Sequence, residues 1–289
     1  MVHPPTSGRA RRIYGEPMEL KATSYRIEGR TALITLDRPQ RGNAWTGRMD
    51  AEYRWLLHQA DNDETVRVIV VNGSGERFCV GGDSQALEGH VDKGGYDRGL
   101  GDQAEDANPG YGLSASFDQP LASHMGLSKP TIAAVHGAAA GIGLSLVCFC
   151  DLRFAAPGTK FTTAHGKLGL PAEYGASWML PRIVGTTRAM ELLLTSRVFL
   201  AEEALEMGFL NGVVERSNLV DHVLAFAETL ASNVAPSSLR ETRRQVYLDL
   251  HRDVGTSVAE SLRLLDEMMR GDDYKEGVAA LVEKRPPNF

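Results

Sequence analysis

Two glycine-rich turns hold the residue types and spacings best suited to chemistry. Arg77-Phe78-Cys79-Val80-Gly81-Gly82-Asp83 follows a β-branched run. His136-Gly137-Ala138-Ala139-Ala140-Gly141-Ile142-Gly143-Leu144 follows a second apolar run and opens a helical pattern. Glycine after a strand lets the backbone come close to a ligand and offer it N–H groups. At a helix start, those groups lack partners and lie at the positive end of the helix dipole. Two such turns converging on one point make an oxyanion hole, which holds negative charge on a carbonyl oxygen. Taken singly, each turn also reads as an ordinary chain reversal. A dinucleotide site fits poorly, because its glycine fingerprint should follow the first strand of a βαβ unit. A serine-hydrolase elbow fits no better, since Gly141-Ile142-Gly143-Leu144-Ser145 is not G-x-S-x-G.

Strands must carry these turns. Residues 23–27 and 32–36 flank Glu28-Gly29 and predict a hairpin. Val66, Val68, Ile69, Val70 and Val71 predict a strand ending at Asn72-Gly73, and residues 49–60 between have helical spacing. Residues 131–135 and 152–155 predict two more strands, around a turn and helix over 137–150. Alternating strands and helices make the core α/β. Residues 89–127 are rich in Gly, Asp, Pro and Ser, too long for an ordinary connection, and read as a flap. Beyond a boundary near Glu215, helices are predicted over 219–233, 237–250, 254–269 and 274–283. The division is therefore an N-terminal tail over 1–17, a core over 18–215 and a helical region over 216–289.

Composition narrows the function. The 289 residues are 43% hydrophobic and 24% charged, ordinary for a globular chain that buries its own core. A net charge of −6 without long runs of one sign argues against a nucleic-acid partner. Cys79, Cys148 and Cys150 show neither disulfide nor metal-ligand spacing and read as buried thiols of a reducing cytoplasm. No run is long and apolar enough for a membrane span, and the N-terminus lacks the apolar stretch of a secretory signal.

The order of several motifs resembles the enoyl-CoA hydratase/isomerase (crotonase) family. They are Leu36-Asp37-Arg38-Pro39 with Arg41-Gly42-Asn43-Ala44, then Phe78 to Asp83, then Lys129-Pro130-Thr131-Ile132-Ala133-Ala134-Val135-His136-Gly137 and Cys150-Asp151-Leu152-Arg153. Leu180-Pro181-Arg182-Ile183-Val184-Gly185, residues 201–208, Glu276-Gly277 and Glu283-Lys284-Arg285-Pro286 follow. The resemblance implies a crotonase-like spiral of ββα units with a C-terminal helical trimerisation region, assembling as a homotrimer or hexamer. It implies an acyl-CoA substrate, with coenzyme A as part of that substrate and no permanent cofactor. It gives the oxyanion donors as the N–H groups of Gly82 and Ile142. The family usually has glycine at the second position, but a backbone donor survives that change. Ala44, Cys79, Gly81, Asp83, Gly143 and Leu170 would line the substrate. Arg41 and Lys284, the latter from a neighbouring subunit, would meet the coenzyme phosphates. By its own chemistry, Asp83 reads first as tying down its turn.

The same resemblance locates the acid–base residues and their departures. The two glutamates of the family's hydratases align with Ser145 and His165, so neither carboxylate is present. Glu173 remains, at a position that resembles the acid of the family's enoyl-CoA isomerases. One carboxylate suffices to move a proton between two carbons of an enolate. In an apolar pocket beside Leu170 and Trp178 its pKa would rise toward that of a useful base. Otherwise Glu173 is a helix-N-terminal charge. His165 could be a second base or a hydrogen-bonded core histidine. Ser145 could hold a water, and a Ser145–His165–Glu173 triad would need the hydroxyl bonded to the histidine. The function implied is an enoyl-CoA isomerase or hydratase. Thioester hydrolysis, C–C cleavage, or acyl-CoA binding without catalysis are the alternatives on the same fold.

Overall fold

The computed structural model describes residues 18–93, 111 and 113–289, with the backbone but not the side chains of residues 90, 91 and 93. The expected tail over 1–17, and residues 94–110 and 112 of the expected flap, lie outside the described residues.

A six-stranded sheet forms the centre. β1 (Thr23–Glu28) and β2 (Thr31–Leu36) form the predicted antiparallel hairpin. β3 (Val68–Gly73), β4 (Thr131–Val135), β6 (Leu152–Ala155) and β9 (Gly212–Val213) then add in parallel. A second sheet contains β5 (Ala139–Ala140), β7 (Lys160–Thr162) and β8 (Phe199–Leu200). Strands this short carry too little alternation to be read from sequence.

Period-two alternation divides the central strands between two cores. Ala32, Ile34, Leu36, Ile69, Val71, Ala133 and Val135 face one, with α1 (Gly47–Asn62) and α3 (Ile142–Phe149). Leu33, Val68, Val70, Ile132 and Ala134 face the other, against Leu219, Val223, Ala227 and Ala231 of α6 (Leu219–Asn233). Those four α6 residues recur at four-residue spacing, the stripe a helix needs to lie on a sheet. Thus the first helix of the expected C-terminal region closes the second face of the sheet.

Between the strands, α1 starts at Thr46, whose hydroxyl accepts from the Met49 N–H at 3.2 Å. α2 (Ser84–Lys93) extends the first glycine turn as a helix, so the expected flap begins in regular structure. At its far end, residues 115–117 and 122–126 form 3-10 turns. α4 (Ala176–Thr195) follows Glu173 and breaks at Gly185, where φ is +78°. α5 (Ala201–Glu206) precedes β9.

α7 (Pro236–Asp249), α8 (Val254–Met268) and α9 (Asp272–Glu283) complete the chain. Arg243 ties α7 to the core: its guanidinium meets Asp151 at 2.8 Å and donates to the carbonyls of Leu127, at 2.6 Å, and His124. α8 and α9 bury little. Val254 is 81% exposed and Leu281 78%. Among the described residues no helix is long and apolar enough to cross a membrane, and no three His, Cys, Asp or Glu side chains gather to hold a metal.

Candidate active site

The two glycine turns meet. Cys79 pairs with Ala139 as an isolated parallel bridge, with the Cys79 N–H on the Ala138 carbonyl at 3.1 Å and the Ala140 N–H on the Cys79 carbonyl at 2.9 Å. Gly143 permits this approach, because a Cβ there would lie 2.4 Å from the Cys79 carbonyl oxygen. Gly141 has φ +51° and ψ −123°, a conformation a side chain strongly disfavours, and it turns the chain from β5 into α3.

The direction of the two N–H groups follows from peptide geometry. In a trans peptide the N–H points opposite to the carbonyl of the preceding residue. The Trp45 N–H holds the Gly81 carbonyl at 2.8 Å, so the Gly82 N–H is aimed away from Trp45. The Ser145 N–H holds the Gly141 carbonyl at 3.0 Å, so the Ile142 N–H is aimed out of the start of α3. Among the described residues, neither N–H has a hydrogen-bond acceptor.

Gly82 and Ile142 line one cavity of about 160 Å³, together with Gly81, Asp83, Leu170 and Glu173. Two residues with unpaired N–H groups and one glutamate around a single cavity are a set that can hold a developing oxyanion and move a nearby proton. Burial raises the Glu173 carboxyl above the ordinary carboxylate range, and the neighbouring His165 works against that rise. The Glu173 carbonyl accepts from the Ala176 N–H at 3.0 Å, so its backbone also caps α4.

The remaining candidates lie elsewhere. His165 and Ser145 are buried and do not line the cavity. No hydrogen bond joins them among the described residues, so the nucleophilic triad is not assembled. Cys79, Ala44 and Gly143 are buried and do not line the cavity, and burial pushes the Cys79 thiol up to about 12. Arg41 turns its guanidinium to Asp83, at 2.9 Å, and to the Ser84 hydroxyl, at 3.2 Å. Lys284 ends α9, away from the cavity. Trp178, expected beside Glu173, does not line the cavity; it stacks on His251 at 5.7 Å under the Arg182 guanidinium.

Several lining residues escape sequence reasoning: Trp45, Leu87, Leu168 and Tyr174 among them. Long-range approach brings them together, and spacing does not record it. Ala164 and Tyr174 carry a signal visible only in the structure: both line the cavity with left-handed φ, +59° and +50°. Such strain gathers at working sites.

A family profile described as Enoyl-CoA hydratase/isomerase matches residues 26–289. The chain belongs to the enoyl-CoA hydratase/isomerase family. Within it, the chain is 34% identical to a 1,2-epoxyphenylacetyl-CoA isomerase of Escherichia coli (strain K12), over 91% of this chain and 96% of that protein. It is 31% identical to an (E)-benzylidenesuccinyl-CoA hydratase of Thauera aromatica, over 91% and 96%. An enoyl-CoA hydratase structure from Bacillus anthracis superposes with a TM-score of 0.80 at 26% identity, covering 93% of this chain and 99% of that one. The crotonase fold expected of the family is thus the fold of its solved neighbours.

Proposed function

We propose that the chain activates an acyl-CoA thioester, with the Gly82 and Ile142 N–H groups on its carbonyl oxygen and Glu173 as the acid–base group. The observation that carries this reading is that Gly82, Ile142 and Glu173 line one cavity, and that the first two have N–H groups without a protein acceptor among the described residues. The coenzyme moiety follows from family membership and from relatives named for acyl-CoA substrates.

Isomerisation is the reaction this residue set supports best. The Glu173 carboxylate removes a proton from C2 of a 3-enoyl-CoA. The electron pair moves onto the thioester oxygen, held by the two N–H groups, and the dienolate is reprotonated at C4 by the same carboxyl. The double bond ends between C2 and C3, and no atoms are gained or lost. Hydration needs a further group to direct water, and Ser145 and His165, where the family's hydratases carry glutamates, supply no carboxylate.

The C-terminal helices support self-association into a trimer or hexamer, because Val254, Leu262 and Leu281 stand out from α8 and α9 as isolated chains rarely leave them. Lys284 would reach a coenzyme only from a neighbouring copy.

The test presents the purified chain with 2-enoyl-CoA and 3-enoyl-CoA and separates the products. Conversion of 3-enoyl to 2-enoyl without 3-hydroxyacyl product is the expected result. Hydration that disappears in Glu173→Gln would make the chain a one-carboxylate hydratase, and unchanged turnover in that variant would remove Glu173 from the mechanism.

A further inference from the structure

We propose that the ion cluster Arg38–Asp83–Arg41 is the positioning device of the Gly82 N–H, with Asp83 as its centre. The inference rests on the oxyanion reading above and deepens it.

Gly82 has no side chain to hold it, and Gly81 beside it adopts φ +104°. A Gly–Gly peptide is the part of a backbone most free to rotate. Rotation of the 81–82 peptide would turn the donor away from the substrate. The clamp on that peptide is the backbone of Trp45, whose N–H takes the Gly81 carbonyl at 2.8 Å and whose carbonyl takes the Asp83 N–H at 3.0 Å. The clamp works only if the segments around 45 and 83 keep their spacing.

Asp83 and Arg38 set that spacing. The Asp83 side chain is 3% exposed and accepts from Arg38 at 3.0 Å, from Arg41 at 2.9 Å, and from the Gln85 N–H at 3.0 Å. Arg38 donates to the Ala44 carbonyl at 2.7 Å, one residue before Trp45. The carboxylate therefore joins the residue after the donor to the segment that holds the donor's peptide. Asn43 fastens the same segment from behind, donating to the carbonyls of Ser74 at 2.9 Å and Arg77 at 2.7 Å.

Stability alone is a poor reason for such a cluster. Replacing a buried ion group by well-packed apolar side chains is often neutral or stabilising, whereas fixed geometry is what ionic contacts supply. Here they stand within one residue of a backbone donor whose direction decides its use.

The experiment uses the full-length chain and 3-phenylpropenoyl-CoA, an enoyl-CoA whose conjugated absorption moves to longer wavelength when its carbonyl is polarised. Affinity, the spectral shift per bound molecule and the thermal midpoint are measured for wild type, Asp83→Asn and Arg41→Ala. Asp83→Asn keeps the volume but turns an amide NH2 toward one arginine. The expected result is loss of at least half the shift in Asp83→Asn and a smaller loss in Arg41→Ala. Affinity should stay within about threefold, and kcat for 3-enoyl-CoA isomerisation should fall about tenfold or more. Should Asp83→Asn not fold, Arg41→Ala, at a half-exposed side chain, decides by the same shift. A lowered thermal midpoint with the full shift retained overturns the positioning role and leaves a structural one. A wild-type chain that leaves the absorption unshifted overturns the oxyanion reading itself, and the brace with it.

Discussion

At the scale of single residues, Glu173 combines a raised pKa with a place on the cavity. A base must be ionised to act, so the acidic limb of the rate profile should lie above the ordinary carboxylate range. Glu173→Gln should remove that limb and lower turnover by about 100-fold or more, measured as kcat against pH. The same shift acts on stability. Because the folded chain holds this proton more tightly than the unfolded chain, stability falls as pH rises from the unfolded to the folded pKa. Above that window the ionised carboxylate is a cost. Glu173→Gln should therefore be more stable than wild type at pH 7, and the gain should vanish below about pH 4. Urea midpoints at several pH values check this. Gly82, Ile142 and Glu173 were legible because turn chemistry and motif order mark them. Trp45 was not, because only the folded chain brings it to the cavity, and Tyr174, although next to Glu173, belongs to no motif that marks it. The family resemblance points the guanidinium of Arg41 outward to phosphate, and spacing does not reveal that it turns inward to Asp83.

At the scale of elements, the site depends on how closely two turns pack. Gly143→Ala would press a methyl group onto the Cys79 carbonyl and force β5 and α3 away from the first turn. The expected cost is about 1–3 kcal/mol in chemical denaturation, typical of overpacking. The accompanying loss of turnover should exceed what the unfolded fraction explains, because the two N–H groups no longer share one centre. Turnover kept in proportion to folded protein would sink that link. Hairpin patterning made β1 and β2 readable, continuous apolar runs made β3 and β4 readable, and four-residue apolar spacing made α6 readable. The two-residue strands of the second sheet and the continuation of α4 past Pro181 rest on tertiary contacts instead.

For the whole molecule, the exposed apolar residues of α8 and α9 set the expectation. Sedimentation should give a trimer or hexamer. A Val258→Glu, Leu262→Glu double substitution should shift the population toward monomer, since two charges on a shared apolar face oppose burial. An unchanged sedimentation coefficient would place the contact elsewhere. The sequence foresaw a helical region from 216 on. It did not show that α6 serves the sheet, because a four-residue apolar stripe fits either a neighbouring subunit or the chain's own strands.

That placement of α6 has a consequence for how the chain is made. Leu33, Val68, Val70 and Ile132 leave the ribosome long before Leu219, Val223, Ala227 and Ala231, which cover them. For most of synthesis the sheet has an uncovered apolar face, a surface that recruits chaperones or other nascent chains. Ribosome-bound chains stalled before residue 219 has emerged should be protease-sensitive and chaperone-bound, and those stalled after residue 231 has cleared the exit tunnel should be protected. Synthesis thus leaves until late the helix that makes the second core dry.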